Sequence, residues 1–107
     1  MITDPKPGEV YFVDLGMAQK PRSILVVSVR DEKAPLAVIT GLSFTRQFHQ
    51  SPYEVALPKL PWMRDQTYVN AQRLSGYKFV ELLRLQGKLE VWVMKQVAGA
   101  LRLWLGF

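Results

Sequence analysis

Apolar residues recur along the chain in short runs separated by prolines, glycines and charged turns, and the period within those runs changes once, near the C-terminus. Residues 8–15 (GEVYFVDL) alternate, with Val10 and Phe12 on one side and Tyr11, Val13 and Leu15 on the other, which predicts a first strand. A loop at 16–21 (GMAQKP) follows. Residues 23–30 (SILVVSVR) are almost continuously apolar, the pattern of a central strand buried on both faces. The segment 31–35 (DEKAP) predicts a turn. A third run covers 36–42 and ends in a polar stretch, 43–51, after which 53–57 and 66–74 predict two strands on either side of a proline-bounded loop at 58–61. A last strand is expected near 83–89.

From about Glu90 the period becomes helical. Met94, Val97, Ala98, Leu101, Trp104 and Leu105 share one face of a 3.6-residue spiral, with Val91 and Val93 at its edges, and this face is expected to pack on the sheet. Trp92, Gln96, Gly99 and Leu103 form a second stripe on the opposite side. Two large apolar side chains there need cover, either from a loop or from a second subunit that Gly99 allows to approach closely. The expected fold class is therefore mainly β with a C-terminal helix, a small barrel or sandwich, and 107 residues give room for one domain, 1–107.

Composition narrows the chemistry. Hydrophobic residues at 49% and charged residues at 21% exclude collagen-like and disordered classes. The absence of cysteine excludes a disulfide scaffold, a zinc ribbon, an iron-sulfur site and a thiol nucleophile. A single histidine, His49, removes most histidine metal sites and leaves little room for a Ser-His-Asp triad, so neither a metal nor another cofactor is expected. The N-terminus has no apolar signal region, and Lys95, Gln96 and Arg102 interrupt the apolar C-terminal stretch, so a cytoplasmic chain without a membrane segment is expected. A net charge of +5 attracts phosphates or an acidic partner, although it is also a common route to solubility.

The carboxylates are dispersed, with no D-x-D or E-x-x-H pattern, and no glycine-rich phosphate loop occurs. What remains is guanidinium, ammonium, hydroxyl and amide. Lys20 and Arg22 stand where the first loop enters the buried strand, and Thr45, Arg46, Gln47 and His49 crowd the loop after the third strand, so both groups are expected at one end of the sheet. A guanidinium fork matches phosphate oxygens, and a hydroxyl beside it holds another oxygen, a pairing suited to a phosphodiester. Asn70 and Gln72, two apart on one predicted strand, would share a face and offer amides to base edges. Each residue also has a plain structural reading: a solvated strand-end charge for Arg22, a turn-capping hydroxyl for Thr45, surface amides for Asn70 and Gln72.

The opening, Pro7-Gly8-Glu9-Val10-Tyr11-Phe12-Val13-Asp14-Leu15 followed by Lys20-Pro21-Arg22-Ser23-Ile24-Leu25-Val26-Val27-Ser28, resembles that of the MazF/PemK (also Kid) family of toxin endoribonucleases. That family's pattern is roughly P-G-E-V-W-x-V-D-x, then K-x-R-P-V-L-V-V-S. Residues 43–55 (SFTRQFHQSPYEV) resemble, without gaps, its P-L-T-T-Q-x-x-x-x-P-x-E-V. Tyr68-Val69-Asn70-Ala71-Gln72 is similar to the V-N-x-Q of many PemK-like members, and 101–107 to the closing A-L-x-x-x-L-G-L.

The resemblance spans nearly the whole chain. It implies an SH3-like small barrel of the MazF/PemK/CcdB type, a homodimer, an acidic antitoxin partner whose disordered tail folds over the RNA groove, and metal-independent cleavage of single-stranded RNA. In that chemistry the ribose 2′-hydroxyl attacks the neighbouring phosphorus. Arg22 matches the family arginine and Thr45 the family threonine, and they are taken as the catalytic pair. Lys20, Arg46, Gln47, Asn70, Gln72 and Arg73 are the expected RNA-binding residues, with stacking from Phe48 or Tyr53. Ser23 and Ser43 replace family prolines, Arg46 stands where a second Thr or Ser is usual, and Ala71 stands near the aspartate that some members carry. The proton acceptor thus has no residue assigned by the resemblance, and His49 is the sequence's candidate for it. Two rival readings are a non-catalytic module that binds RNA or protein, and a gyrase-directed toxin on the same barrel.

Overall fold

Alternation along the first two strands divides the core in two. A computed structural model describes residues 2–16 and 20–107. In β1 (Glu9–Val13) Val10 faces one side and Tyr11 and Val13 the other; β2 (Arg22–Val26) splits the same way, Leu25 against Ile24 and Val26. The two pair antiparallel with Val10 opposite Leu25 and Tyr11 opposite Ile24, so residues facing the same way meet across the ladder. Burying β2 on both faces is what its continuous apolar run predicted.

The remaining elements are β3 (Val38–Ser43), β4 (Glu54–Ala56), β5 (Tyr68–Asn70), β6 (Ser75–Lys78), β7 (Leu82–Lys88) and α1 (Val91–Leu105), with single 3₁₀ turns at Ala71–Arg73 and Phe79–Glu81. Five strands form an antiparallel sheet in the order β6-β3-β2-β1-β7, and β4 pairs with β5 in a second, two-stranded sheet. A bridge between Thr45 and Tyr68 joins the two. The larger core packs Val10, Leu25 and Leu42 against Val55 and Val69 of the small sheet, Leu57 just after β4, and Val93, Val97 and Ala100 of α1. The smaller core lies on the other face, where Tyr11, Val13, Ile24 and Val26 meet Ile39, Tyr77, Phe79 and Leu82. The expected class, mainly antiparallel β with a C-terminal helix, is the one observed.

Local chemistry accounts for the differences from the sequence reading. β2 ends at Val26 rather than Arg30, because the amides of Val27 and Ser28 both donate to the Thr40 carbonyl at 3.0 and 3.3 Å, a bulge that breaks the alternation. Val29, read as part of a buried strand, is 76% exposed. The run 66–74 is not one strand: the Asn70 side-chain oxygen accepts the Gln72 amide at 2.9 Å and caps a 3₁₀ turn, so only Tyr68–Asn70 pairs with β4. β6, absent from the sequence reading, is a short edge strand whose one buried side chain is Tyr77. Residues 17–19 of the loop expected at 16–21 lie outside the described residues.

The helix starts where expected but its buried face is rotated. Val93, Val97 and Ala100 are buried and Met94 and Leu101 half-buried, whereas Ala98, Trp104 and Leu105 are exposed. Eleven of its fifteen residues are apolar, so periodicity alone does not fix the centre of the stripe. Gly106 closes it in the left-handed conformation, φ 81°, its amide donating to Arg102 O at 2.8 Å. Trp92 and Leu103, 53% and 56% exposed, have no loop over them among the described residues, which overturns the loop-cover alternative.

Candidate functional site

The face of the sheet that carries the smaller core runs out at Arg22. In β2, Arg22 stands two residues before Ile24 and so projects on the same side, opposite Val13 of β1. On the other edge Ile24 pairs with Ser43, and the Phe44 amide donates to the Ser23 carbonyl at 2.9 Å, so the ladder carries to Phe44, the residue before Thr45. Further along, Gly41 pairs with Ser75 and Ile39 with Tyr77. The same face therefore ends in Arg22, Ser43, Ser75 and Tyr77.

These side chains line a cleft of about 460 Å³ together with Leu15, Gly76, Arg73 from the first 3₁₀ turn and Glu81 from the second. Arg22 is half-buried, Ser43 only 4% exposed, and Tyr77 buried. Burial pushes the Tyr77 phenol up; the Arg22 charge and a hydrogen bond with Ser75 pull against it, and Glu81 pushes the same way as burial, so the net shift is upward. A neutral phenol, two guanidinium groups and one carboxylate thus share the cleft. Glu81 is held by its Oε1, which accepts the Lys78 amide at 2.8 Å.

Thr45 stands beside this cleft rather than in its lining. Its backbone is fixed by two hydrogen bonds with Tyr68, 2.9 and 2.8 Å, and its Oγ1 accepts the Gln47 amide at 3.1 Å. Gln47 in turn accepts from Arg73 Nη2 at 3.4 Å, a long bond that ties the Thr45 loop to the cleft wall. Phe48 lies flat on Tyr68, centroids 4.5 Å apart and planes at 3°. Glu54 braces the loop from below: its carboxylate accepts the His49 amide at 2.9 Å and the Ser51 amide at 2.9 Å. Desolvation pushes the Glu54 carboxyl up, but the His49 and Ser51 hydrogen bonds and the nearby imidazole outweigh it and hold it below its ordinary value.

Of the residues the sequence singled out, Arg22 and Arg73 are brought into one cleft, Gln47 bonds Arg73, and Thr45, bridged to Tyr68, is outside the cleft lining. The others stand apart from it. Arg46 is exposed and pairs with Asp65 at 3.3 Å, Lys20 is exposed, and His49 is exposed on the loop. The reading of Asn70 and Gln72 as two amides on one strand face is corrected: Gln72 lies in the 3₁₀ turn and Asn70 spends its side-chain oxygen capping it. Of the two aromatics, Phe48 is open to solvent, whereas Tyr53 packs edge-on against Trp104, centroids 5.4 Å apart. Sequence reasoning missed Ser43, Ser75, Tyr77 and Glu81. Its one available signal was the alternation of Ser75 and Tyr77, which puts both on one face of a strand.

Among the described residues no three His, Cys, Asp or Glu side chains gather as metal ligands would, and no helix is long and apolar enough to cross a membrane. A small antiparallel β fold with a C-terminal helix thus carries, at the end of its sheet, a cleft lined by two arginines, whose guanidinium groups suit an anion. By structure, the chain is similar to solved endoribonucleases and shares its fold with MazF toxins. Similar solved structures include an endoribonuclease in complex with its cognate antitoxin from a mycobacterial species, 27% identical with a TM-score of 0.81, matching 96% of each chain. A second mycobacterial endoribonuclease is 26% identical with a TM-score of 0.77, over 96% of this chain and 92% of that one. The MazE–MazF complex of Deinococcus radiodurans, at 19% identity and a TM-score of 0.78 over 97% of each chain, shares the fold. No protein-family model matches the chain, and no curated protein sequence does.

Proposed function

We propose that this chain is the toxin of a toxin–antitoxin pair and acts as a metal-independent endoribonuclease on single-stranded RNA. The observation that carries this reading is the cleft in which Arg22 and Arg73 converge, with Thr45 two residues past Ser43 of its lining. The ribose 2′-hydroxyl attacks its own phosphorus, leaving a 2′,3′-cyclic phosphate and a free 5′-hydroxyl, so the protein supplies alignment and charge rather than a nucleophile. Arg22 clamps the scissile phosphate; a base role is excluded by the high pKa of guanidinium. Thr45 donates to a phosphate oxygen. Gln47 and Arg73 continue the anion path, Phe48 on its Tyr68 support offers a base a stacking surface, and Lys20, Arg46, Asn70 and Gln72 are left to the groove's outer rim.

The net charge of +5 suits RNA and also the acidic tail of an antitoxin, which would compete for the same groove. The exposed stripe of Trp92 and Leu103 supports a homodimer, and a cytoplasmic location follows from an mRNA substrate. The test is incubation of the purified protein with a long single-stranded RNA in EDTA. Discrete fragments with cyclic phosphate ends are expected, with at least a hundredfold loss of rate in Arg22→Ala. RNA left intact across many sequences overturns the proposal.

A further inference from the structure

We propose that Glu81 is the general base that takes the proton from the attacking 2′-hydroxyl. The inference rests on the ribonuclease reading and names the group that reading lacks. Attack by a hydroxyl on phosphorus needs a proton acceptor within hydrogen-bond reach, and a positioned carboxylate is one of the few side chains that serves. Ala71 and Asn70 supply none, and His49 stands on an exposed loop away from the Arg22 cleft.

Other carboxylates near this end of the chain are outside the lining of the cleft. Glu54 holds the His49 and Ser51 amides, Asp65 pairs with Arg46, and Asp14 accepts the Gly16 amide. Among the described residues Glu81 is the one carboxylate lining the cleft that contains Arg22 and Arg73. One of its carboxylate oxygens is fixed, because Oε1 accepts the Lys78 amide at 2.8 Å at the start of the second 3₁₀ turn. It is also not neutralised in place. The ion pairs within 4.0 Å among the described residues are Lys6–Asp4 and Arg46–Asp65, so neither arginine of the cleft is locked against it.

Glu81, Arg22 and the buried Tyr77 phenol line the same cleft, and both charges act on that phenol. A cleft of about 460 Å³ is in the range of small-ligand sites, so a phosphodiester with its ribose can lie between them. The step balances without a co-reactant beyond water. The 2′-oxygen gives its proton to Glu81 as it bonds to phosphorus, and the bond from phosphorus to the 5′-oxygen breaks. That oxygen takes a proton from water, and the hydroxide left behind recovers the proton from Glu81. Arg22 and Arg73 hold the two non-bridging oxygens throughout.

The experiment compares the wild-type chain, Glu81→Gln and Glu81→Asp on one cleavable RNA in EDTA across pH, with binding measured on the same RNA carrying a 2′-deoxy sugar at the cleaved position. The charged and titratable groups facing Glu81 are Arg22 from β2, Arg73 from the first 3₁₀ turn and Tyr77 from β6, with Lys78 beside it on the chain. Glu81→Gln, whose amide oxygen still accepts the Lys78 amide, is expected to lower kcat about 10²–10⁴-fold, bind the deoxy RNA at least as well, and lose the acid limb of the rate profile. Glu81→Asp is expected to keep that limb. Cleavage by Glu81→Gln at the wild-type kcat overturns this assignment and leaves the ribonuclease reading standing. Loss of deoxy-RNA binding in both variants makes Glu81 structural and overturns it too. Inactivity of the wild-type chain on RNA removes the ribonuclease reading and this assignment together.

Discussion

Arg73 reaches across from the first 3₁₀ turn to Gln47, Nη2 to Oε1 at 3.4 Å, and so couples the loop that carries Thr45 to the wall of the cleft that holds Arg22. The two residues are 26 apart in sequence. They meet because Thr45 is pinned to Tyr68 and the chain turns at Asn70 immediately afterwards.

Arg73 is therefore expected to contact phosphate as well as Gln47. Arg73→Ala should weaken binding to single-stranded RNA similarly for all sequences and reduce the slope of log affinity against log salt by about one. Gln47→Ala, which removes the acceptor and leaves the guanidinium, should leave that slope in place. Titrations of the 2′-deoxy RNA at several salt concentrations check both. An unchanged slope in Arg73→Ala would take Arg73 out of the groove.

Glu54 links acidity to the same loop. Its carboxylate is held below its ordinary value of 4.5 by the His49 and Ser51 hydrogen bonds, against a desolvation effect that pushes the other way. A lowered folded-state value contributes stability that is present above the unfolded value and lost as pH falls through the folded one. Melting temperature should therefore drop as pH falls below about 4.5 in the wild-type chain, and the part due to this loop should be absent in Glu54→Gln. Parallel thermal melts from pH 7 to pH 3 measure it.

Hydrophobic period carries much of this fold. Strands β1, β2, β3 and β7 and the helix lie where alternation or a 3.6-residue repeat announced them, and Arg22 starts β2 while Thr45 follows closely on β3, the strand beside it. It failed where a side chain competes with the ladder. Asn70 looked like a strand residue, yet its side-chain oxygen offers the Gln72 amide a nearer partner and turns the chain. That turn sets up β6, whose SGYK sequence has one buried apolar residue and no period to detect, and with β6 came Ser75, Tyr77 and the route to Glu81. Half of the cleft was thus hidden behind one capping interaction.

Gly41 marks the tightest point of the smaller core. A Cβ there would lie 2.6 Å from Ile24 Cγ2 and 2.9 Å from the Leu25 carbonyl oxygen, and the second of these is backbone that cannot swing away. Gly41→Ala is expected to cost about 1–3 kcal/mol, the range for overpacking a filled site. Gly99→Ala, whose Cβ would meet nothing within 4 Å in the single chain, should be neutral or mildly stabilising for the monomer through helix propensity. Chemical denaturation of the two variants gives the contrast directly.

The helix surface makes the last expectation. Trp92 and Leu103 lie eleven residues apart on α1, about 16 Å along its axis, with exposed Gln96 and Gly99 between them. Val91 is 71% exposed beside Trp92, and a shallow apolar groove of about 700 Å³ runs there between Lys88, Val91, Trp92 and Lys95. Small, bare Gly99 lets a second helix come close, and large apolar side chains at either end would fill the flanks of such a contact. If two copies of the chain join through this stripe, Trp92→Ala and Leu103→Ala should each shift the mass measured by sedimentation from the dimer toward the monomer at micromolar concentration. Because neither side chain belongs to either core, both variants should keep the fold. A wild-type chain that sediments as a monomer, or variants that remain dimeric, would move the subunit contact to another face.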